Sequence, residues 1–238
     1  MKALDISGDY IKEIRSAGYK DISIDELVSF KAQGIDKDYL TKLPKKNGNE
    51  TMSADNVVSL KAMNIDEAYA NSFKALGYQN IDPEELVAMK SLGINADYVK
   101  QFQVLGYKNI SADNLVAMKS QNITPEFIKS FEDAGYKNIS ADDLISLKAL
   151  GVQPEYIKSF KEKGYDVSLE DAVSMKSQNI TPEYLNSFAD LGYKNISLDN
   201  AVALKATGVT PEWIKEMKAK GFNYNDISKY ITLKSLQE

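Results

Sequence analysis

One lysine recurs at a single position of an internal repeat, which makes it the most regular group in the chain that could take part in binding. The lysines of this set, the lysine ladder, are Lys31, Lys61, Lys90, Lys119, Lys148, Lys176, Lys205 and Lys234. Consecutive members are 28 to 30 residues apart. Ammonium groups at a regular spacing could bind the carboxylates of an extended, acidic protein or peptide. We therefore take Lys90, Lys119, Lys148, Lys176 and Lys205 as candidate binding residues.

The same lysines also have a purely structural interpretation. Each falls in the last turn of a predicted helix, where a cation interacts favourably with the helix dipole and its aliphatic stem can cover the seam between repeats. Acidic positions such as Asp113 and Glu126 could pair with these lysines, and exposed ion pairs contribute little. Residue type and position favour this structural interpretation.

An aromatic residue recurs in the same way. The members of this aromatic ladder are Tyr10, Tyr39, Tyr69, Tyr98, Phe127, Tyr156, Tyr184 and Trp213. Such rings could stack on bases or sugars. They lie on the apolar stripe of a predicted helix, however, and Phe127 replaces tyrosine there, so that the hydroxyl is not needed at every site. We expect these rings to pack in the core.

The absence of cysteine and histidine excludes several classes of chemistry. Thiolate nucleophiles, zinc fingers, iron–sulfur ligation, histidine-assisted triads and histidine-ligated metals all need one of these side chains. The chain also has no P-loop, no dinucleotide-binding glycine motif and no EF-hand loop. We therefore predict no enzyme activity, no catalytic or metal-binding residue and no cofactor.

Net charge and hydropathy argue against nucleic-acid binding and against membrane insertion. A net charge of −5 and an isoelectric point near 5.1 argue against general nucleic-acid binding. No stretch approaches the roughly 20 apolar residues of a membrane span, and Met1 to Asp5 lack the apolar core of a signal peptide. We expect a soluble chain without membrane insertion. Both the cytoplasm and the periplasm remain open, because a chain without cysteine suits either compartment.

The elements that position both ladders belong to a tandem repeat. Its period of 28 to 30 residues is marked by Gly18, Gly48, Gly77, Gly106, Gly135, Gly164, Gly192 and Gly221. A fixed period of this length is typical of solenoids, in which each unit buries its apolar face against its neighbours. We predict an all-α fold: a superhelical solenoid of about eight αα-hairpin repeats, forming one domain over residues 1–238.

Start and stop signals delimit two helices in each repeat. In the clearest copy, residues 111–121 form helix A and residues 124–134 form helix B. Ser111 is a suitable N-cap, and Asn122 and Gly135 stand where a left-handed residue would end each helix. One repeat is irregular near residues 43–53: Pro44 falls inside helix B, which should be short or kinked there and break the curvature of the array.

The repeat resembles a known bacterial tandem repeat. The matching motifs are Ser-Ala-Asp, as in residues 140–142, and Thr-Pro-Glu-Phe-Ile, as in residues 124–128, within the phrase GYKNISADNLVAMKSQNITPEFIKSF. Such arrays lie behind membrane metallopeptidase domains that resemble beta-lactam sensors. The resemblance implies an interaction array of no assigned activity, and none of the peptidase machinery is present in this chain.

Three functions fit these observations. A non-catalytic scaffold that binds a protein or peptide is favoured, because an extended helical array offers a long binding surface. A structural spacer or assembly segment of a larger bacterial protein is the alternative, since the repeat surfaces vary little. A nucleic-acid-binding helical array comes third, because the acidic balance counts against it.

Overall fold

The computed structural model describes residues 6–43 and 51–236, and this part of the chain contains sixteen α-helices, one 3₁₀ helix and no strand. The predicted all-α repeat solenoid is confirmed. The helices are α1 (Gly8–Ser16), α2 (Ile24–Ala32), α3 (Lys37–Thr41), α4 (Ala54–Ala62), α5 (Glu67–Lys74), α6 (Pro83–Ser91), α7 (Ala96–Val104), α8 (Ala112–Ser120), α9 (Pro125–Asp133), α10 (Ala141–Ala149), α11 (Pro154–Lys161), α12 (Leu169–Ser177), α13 (Pro182–Asn186), α14 (Leu198–Ala206), α15 (Pro211–Ala219) and α16 (Ser228–Ser235). Even-numbered helices are helix A of a repeat, and odd-numbered helices are helix B.

Helix A begins and ends as its residues predict. The Ser111 hydroxyl accepts a hydrogen bond from the Asn114 N–H at 3.1 Å, which satisfies one of the free donors at the start of α8. Asn122 follows the end of α8 with φ of 53°, and Gly151 takes the same left-handed conformation after α10 with φ of 64°. The predicted bounds of α8 are correct to within one residue.

Helix B ends in a Schellman turn, again as predicted. After α9, Gly135 has φ of 95°, and the Tyr136 N–H donates to the Phe131 carbonyl at 3.0 Å. The glycine is needed because a side chain at this φ would be strained. In the equivalent turns after α5 and α11, the Tyr78 and Tyr165 rings contact Phe73 and Phe160 edge to face, with 6.4 and 6.3 Å between centroids.

The chain divides into two compact units, Met1–Pro125 and Glu126–Glu238. In the first unit, α2 packs on α4, α4 on α6 and α6 on α8; in the second, α10 packs on α12, α12 on α14 and α14 on α16. Each unit has its own fully buried side chains, among them Phe30 and Phe102 in the first and Phe131, Phe160 and Phe188 in the second. The prediction of one domain over residues 1–238 stays a prediction.

Two copies of helix B are short. The five-residue helix α3 ends at Thr41, in agreement with the predicted shortening, although Pro44 and the expected break in curvature lie outside the described residues. The five-residue helix α13 was not predicted to be short. Its chain continues into the 3₁₀ helix Ala189–Leu191, a tighter turn that is common where α-helices end. Among the described helices, none is both long and apolar enough to cross a bilayer.

Candidate functional site

The two ladders are contact partners. Each ladder lysine lies over the aromatic ring of the preceding repeat, with 4.2 to 5.2 Å between Nζ and the ring centroid. The pairs are Lys31 over Tyr10, Lys61 over Tyr39, Lys90 over Tyr69, Lys119 over Tyr98, Lys148 over Phe127, Lys176 over Tyr156, Lys205 over Tyr184 and Lys234 over Trp213. The ladders therefore form one row of cation–π pairs in each unit.

Helix geometry places each pair across the seam between two repeats. The lysine is the second-last residue of a helix A, as Lys119 is in α8, and the ring stands at the third position of the preceding helix B, as Tyr98 does in α7. A cation there interacts with the negative end of the helix dipole as well as with the ring face. At an exposed site the dipole interaction is worth about 0.3–1 kcal/mol and the ring interaction about 0.5–1 kcal/mol.

Some ladder tyrosines also bond to the following repeat. The hydroxyls of Tyr10, Tyr69 and Tyr156 donate to the backbone carbonyls of Ile35, Ile94 and Ile180 at 2.8, 2.7 and 2.6 Å. These three acceptors lie in the turns between helix A and helix B.

The hydroxyl bond is not made at every ladder position. In the described part of the chain, the hydroxyl oxygens of Tyr39, Tyr98 and Tyr184 are buried without a hydrogen-bond partner, and Phe127 has no hydroxyl. Every position has a ring and a lysine, whereas only some have the hydroxyl bond.

Burial sets the ionisation of these tyrosines. Loss of solvent around the rings raises the pKa of Tyr69 and Tyr156 from 10.0 to about 12, because the phenolate is less well solvated than the neutral phenol. The pKa of Tyr10 also rises to about 12, from burial and additionally from the negative charge of Asp36. These rings are neutral at physiological pH and present an uncharged π-face to the lysines.

The expected core position of the aromatic ladder is only partly correct. Tyr10 and Phe127 are buried, and the other six rings are partly buried at the edge of the core. The fully buried aromatic of helix B is instead the residue four positions on, such as Phe131 or Phe160. In α11 the Tyr156 and Phe160 rings make an edge-to-face contact with 5.1 Å between their centroids. The ladder ring is thus held by the core without being fully enclosed in it.

No ion pair within the described residues includes a ladder lysine. The ion pairs found in residues 6–43 and 51–236 are Asp9–Lys12, Asp97–Lys100 and Lys158–Glu162, each between residues three or four positions apart in the chain. Pairing of the ladder with carboxylates such as those of Asp113 and Glu126 is not among these ion pairs, and the rings occupy the near side of the ammonium groups. Seven ladder lysines are partly buried, and Lys205 is exposed.

Carboxylates nevertheless border the row. The residue before the ring is acidic in every repeat but one, in which Ala68 precedes Tyr69. The bordering residues are Asp9, Asp38, Asp97, Glu126, Glu155, Glu183 and Glu212, and all of them are exposed. An exposed acidic residue thus stands next in the chain to seven of the eight ladder rings.

The structure brings all five candidate lysines to equivalent places. Lys90 and Lys119 lie on α6 and α8 in the first unit, and Lys148, Lys176 and Lys205 lie on α10, α12 and α14 in the second. The direct pairing of the two ladders was missed in the sequence. Its signal is a ring that precedes each lysine by 20 to 22 residues in all eight repeats.

A second set of cation–π pairs was also missed. Lys161 lies over Tyr136 at 4.5 Å, and Lys218 lies over Tyr193 at 4.9 Å while its ammonium donates to the Leu191 carbonyl at 3.0 Å. In both pairs the tyrosine follows the repeat glycine and the lysine lies on the next helix B. A lysine of helix B can therefore lie over a ring of the preceding repeat, as the ladder lysine of helix A does.

No group of three or more acidic residues in the described ranges could hold a metal ion. Comparisons of the chain with protein-family models, with curated proteins and with solved structures gave no match.

Proposed function

We propose that this chain is a non-catalytic scaffold that binds an acidic, extended protein or peptide through the lysine ladder. One observation supports the proposal: each helix A has a ladder lysine with a ring on one side and no ion-pair partner among the residues that the structure describes. An ammonium group has three N–H donors, and the ring uses only one side of it. The solvent side of each lysine remains able to bind a carboxylate.

Holding the lysines in place favours binding. A free lysine side chain loses up to about 2 kcal/mol of conformational entropy when it is immobilised. The ladder lysines are already oriented by the rings, so that less of this entropy is lost when a partner binds. The resemblance of the repeat to bacterial interaction arrays supports the same function.

A structural spacer is the second candidate, and the same contacts support it. Each cation–π pair joins helix B of one repeat to helix A of the next, and three tyrosine hydroxyls add hydrogen bonds in the same direction. Lysines that serve only this purpose would contribute to stability and to no binding.

Replacing three ladder lysines of one unit separates the two functions. The test variant carries Lys148→Gln, Lys176→Gln and Lys205→Gln. The matched control carries Lys137→Gln, Lys194→Gln and Lys215→Gln, three exposed lysines of the same unit with the same change of charge. Fluorescence anisotropy with labelled peptides that contain four glutamates measures binding at salt concentrations of about 0.05 M and about 0.5 M.

We expect the unchanged chain and the control variant to bind the glutamate peptides at low salt. The test variant should bind them at least about tenfold more weakly, and high salt should weaken the binding of all three proteins. The test variant should remain folded, with a loss of stability of roughly 1–3 kcal/mol from three lost lysine contacts. Equal loss of binding in both variants, or no binding by the unchanged chain, would favour the spacer.

A further inference from the structure

The spacing of the ladder carries information about the partner. Within each unit, four consecutive copies of helix A pack one on the next, and each presents its ladder lysine at the same place in its last turn. Helices in contact have axes roughly 8–10 Å apart. If equivalent residues of successive helices follow the distance between the helix axes, we expect four ammonium groups at about that interval along a unit.

Extended backbone conformations differ in how well they match this interval. A β-strand places side chains on one face at every second residue, about 6.6 Å apart, or at every fourth residue, about 13 Å apart. Polyproline II has three residues per turn and a rise of about 3.1 Å, so that every third side chain lies on one face, about 9.3 Å from the next. Only the polyproline II spacing falls within the interval of the ladder.

The bordering carboxylates add a second constraint. An exposed acidic residue precedes the ring in seven of the eight repeats. A partner with an acidic residue at every position would bring negative charge against these carboxylates as well as against the lysines. A partner with neutral residues between its carboxylates avoids that repulsion.

We propose that the partner is a polyproline II segment with an acidic side chain at every third residue, bound so that successive carboxylates meet successive ladder lysines of one unit. This inference rests on the proposed function, since it specifies the partner of the same lysines. Polyproline II also suits binding because a proline-rich segment is already extended and loses little entropy.

Two peptides of one composition test the spacing, and two further probes test other partners. The first peptide is (Glu-Pro-Pro)4, and the second contains the same residues with its four glutamates adjacent at one end. A third peptide, mainly alanine, carries four glutamates at every seventh position, which an α-helix would space about 10.5 Å apart. A single-stranded oligothymidine of equal charge represents nucleic acid.

We expect (Glu-Pro-Pro)4 to bind at low salt at least about tenfold more tightly than each of the other three probes, as several aligned charge pairs of modest individual strength should produce. The variant with Lys148→Gln, Lys176→Gln and Lys205→Gln should reduce this preference by about tenfold. The control variant with Lys137→Gln, Lys194→Gln and Lys215→Gln should leave it unchanged.

The possible failures of the two proposals are distinguishable. If the three peptides bind equally and the ladder variant weakens them all, the spacing inference is wrong and the proposed function stands. If the helical peptide or the oligothymidine binds more tightly than (Glu-Pro-Pro)4, the polyproline II partner is wrong. If no peptide binds in a ladder-dependent and salt-sensitive way, both proposals are wrong.

Discussion

The proposed function assigns two interactions to different sides of one ladder-lysine ammonium group. Lys176, for example, lies 4.8 Å from the centre of the Tyr156 ring, and no ion pair in the described part of the chain includes it. Contact with a ring leaves the positive charge in place, whereas an ion pair would have neutralised it. Stabilising the seam and binding an acidic partner are therefore compatible roles for the same residue.

The first prediction concerns the buried ring beside this pair. Phe160 is fully buried and contacts Tyr156 edge to face. Phe160→Ala should lower the free energy of unfolding by roughly 3–5 kcal/mol, because it leaves a cavity in a packed core. Tyr156→Phe keeps the ring and loses only the 2.6 Å bond to Ile180, so it should lose about 0.5–1.5 kcal/mol. Urea unfolding measures both, and a loss below about 1 kcal/mol for Phe160→Ala would contradict the core position of this ring.

A second prediction concerns alkaline pH. Burial raises the pKa of Tyr156 from 10.0 to about 12, so the folded state favours the neutral phenol. This contribution to stability is fully present below about pH 10 and is lost as the pH rises towards 12. The free energy of unfolding should therefore fall over this range, and it should fall less steeply in Tyr156→Phe. Parallel pH profiles of the two proteins would contradict the prediction.

At the scale of the helix, the caps explain why such short elements form. Helices of nine residues are too short to be stable alone, so their ends and their neighbours decide whether they form. Most copies of helix B begin at a side chain that accepts a hydrogen bond, such as Thr181 or Thr210. Helix α11 differs, because its N-cap Gln153 makes no side-chain cap bond.

The third prediction follows from that exception. Gln153→Thr should raise the free energy of unfolding by about 0.5–1 kcal/mol, because the threonine hydroxyl can accept a bond from the Tyr156 N–H as Thr210 does from Trp213. The converse change Thr210→Gln in α15 should lower it by a similar amount. Thermal unfolding of both variants tests the pair, and shifts of the same sign would contradict the capping argument.

At the scale of the whole molecule, stability depends on contacts between successive repeats. The ladder contacts all join one repeat to the next, and so do the tyrosine hydroxyl bonds at Tyr10, Tyr69 and Tyr156. A chain built from such contacts tolerates changes in repeat number, because a removed repeat takes only its own contacts with it.

The fourth prediction tests this property. Deleting residues 135–191, two full periods from one repeat glycine to another, should leave a folded helical protein whose denaturant m-value is smaller by about a quarter. Deleting residues 135–149 removes a single helix A and brings two copies of helix B together. This control should fail to unfold cooperatively. The periodic pattern would be irrelevant to folding if both deletions behaved alike.

The repeat could be predicted from the sequence because its signals are local. Ser111, Asn122 and Gly135 mark helix ends through their own conformational preferences, and the bounds of α8 are correct as a result. The partner of each lysine could not be predicted in this way. The identity of this partner depends on how helix A of one repeat packs against helix B of the repeat before. The sequence contains both a carboxylate and a ring that could take that place, and it does not distinguish between them. The shortened α13 has no local signal, since Ser187 bonds to Tyr184 as Ser159 bonds to Tyr156 in the full-length α11.

The single tryptophan gives the last seam a natural optical reporter. Trp213 is partly buried beneath Lys234 at 5.2 Å and makes an edge-to-face contact with Tyr230 at 6.3 Å. Its emission therefore responds to the seam between α15 and α16, whereas circular dichroism averages over every helix. Fraying that begins at this seam would shift the emission to longer wavelength before the helical signal declines. Coincident changes would show that this seam opens together with the rest of the helices, without partly opened forms.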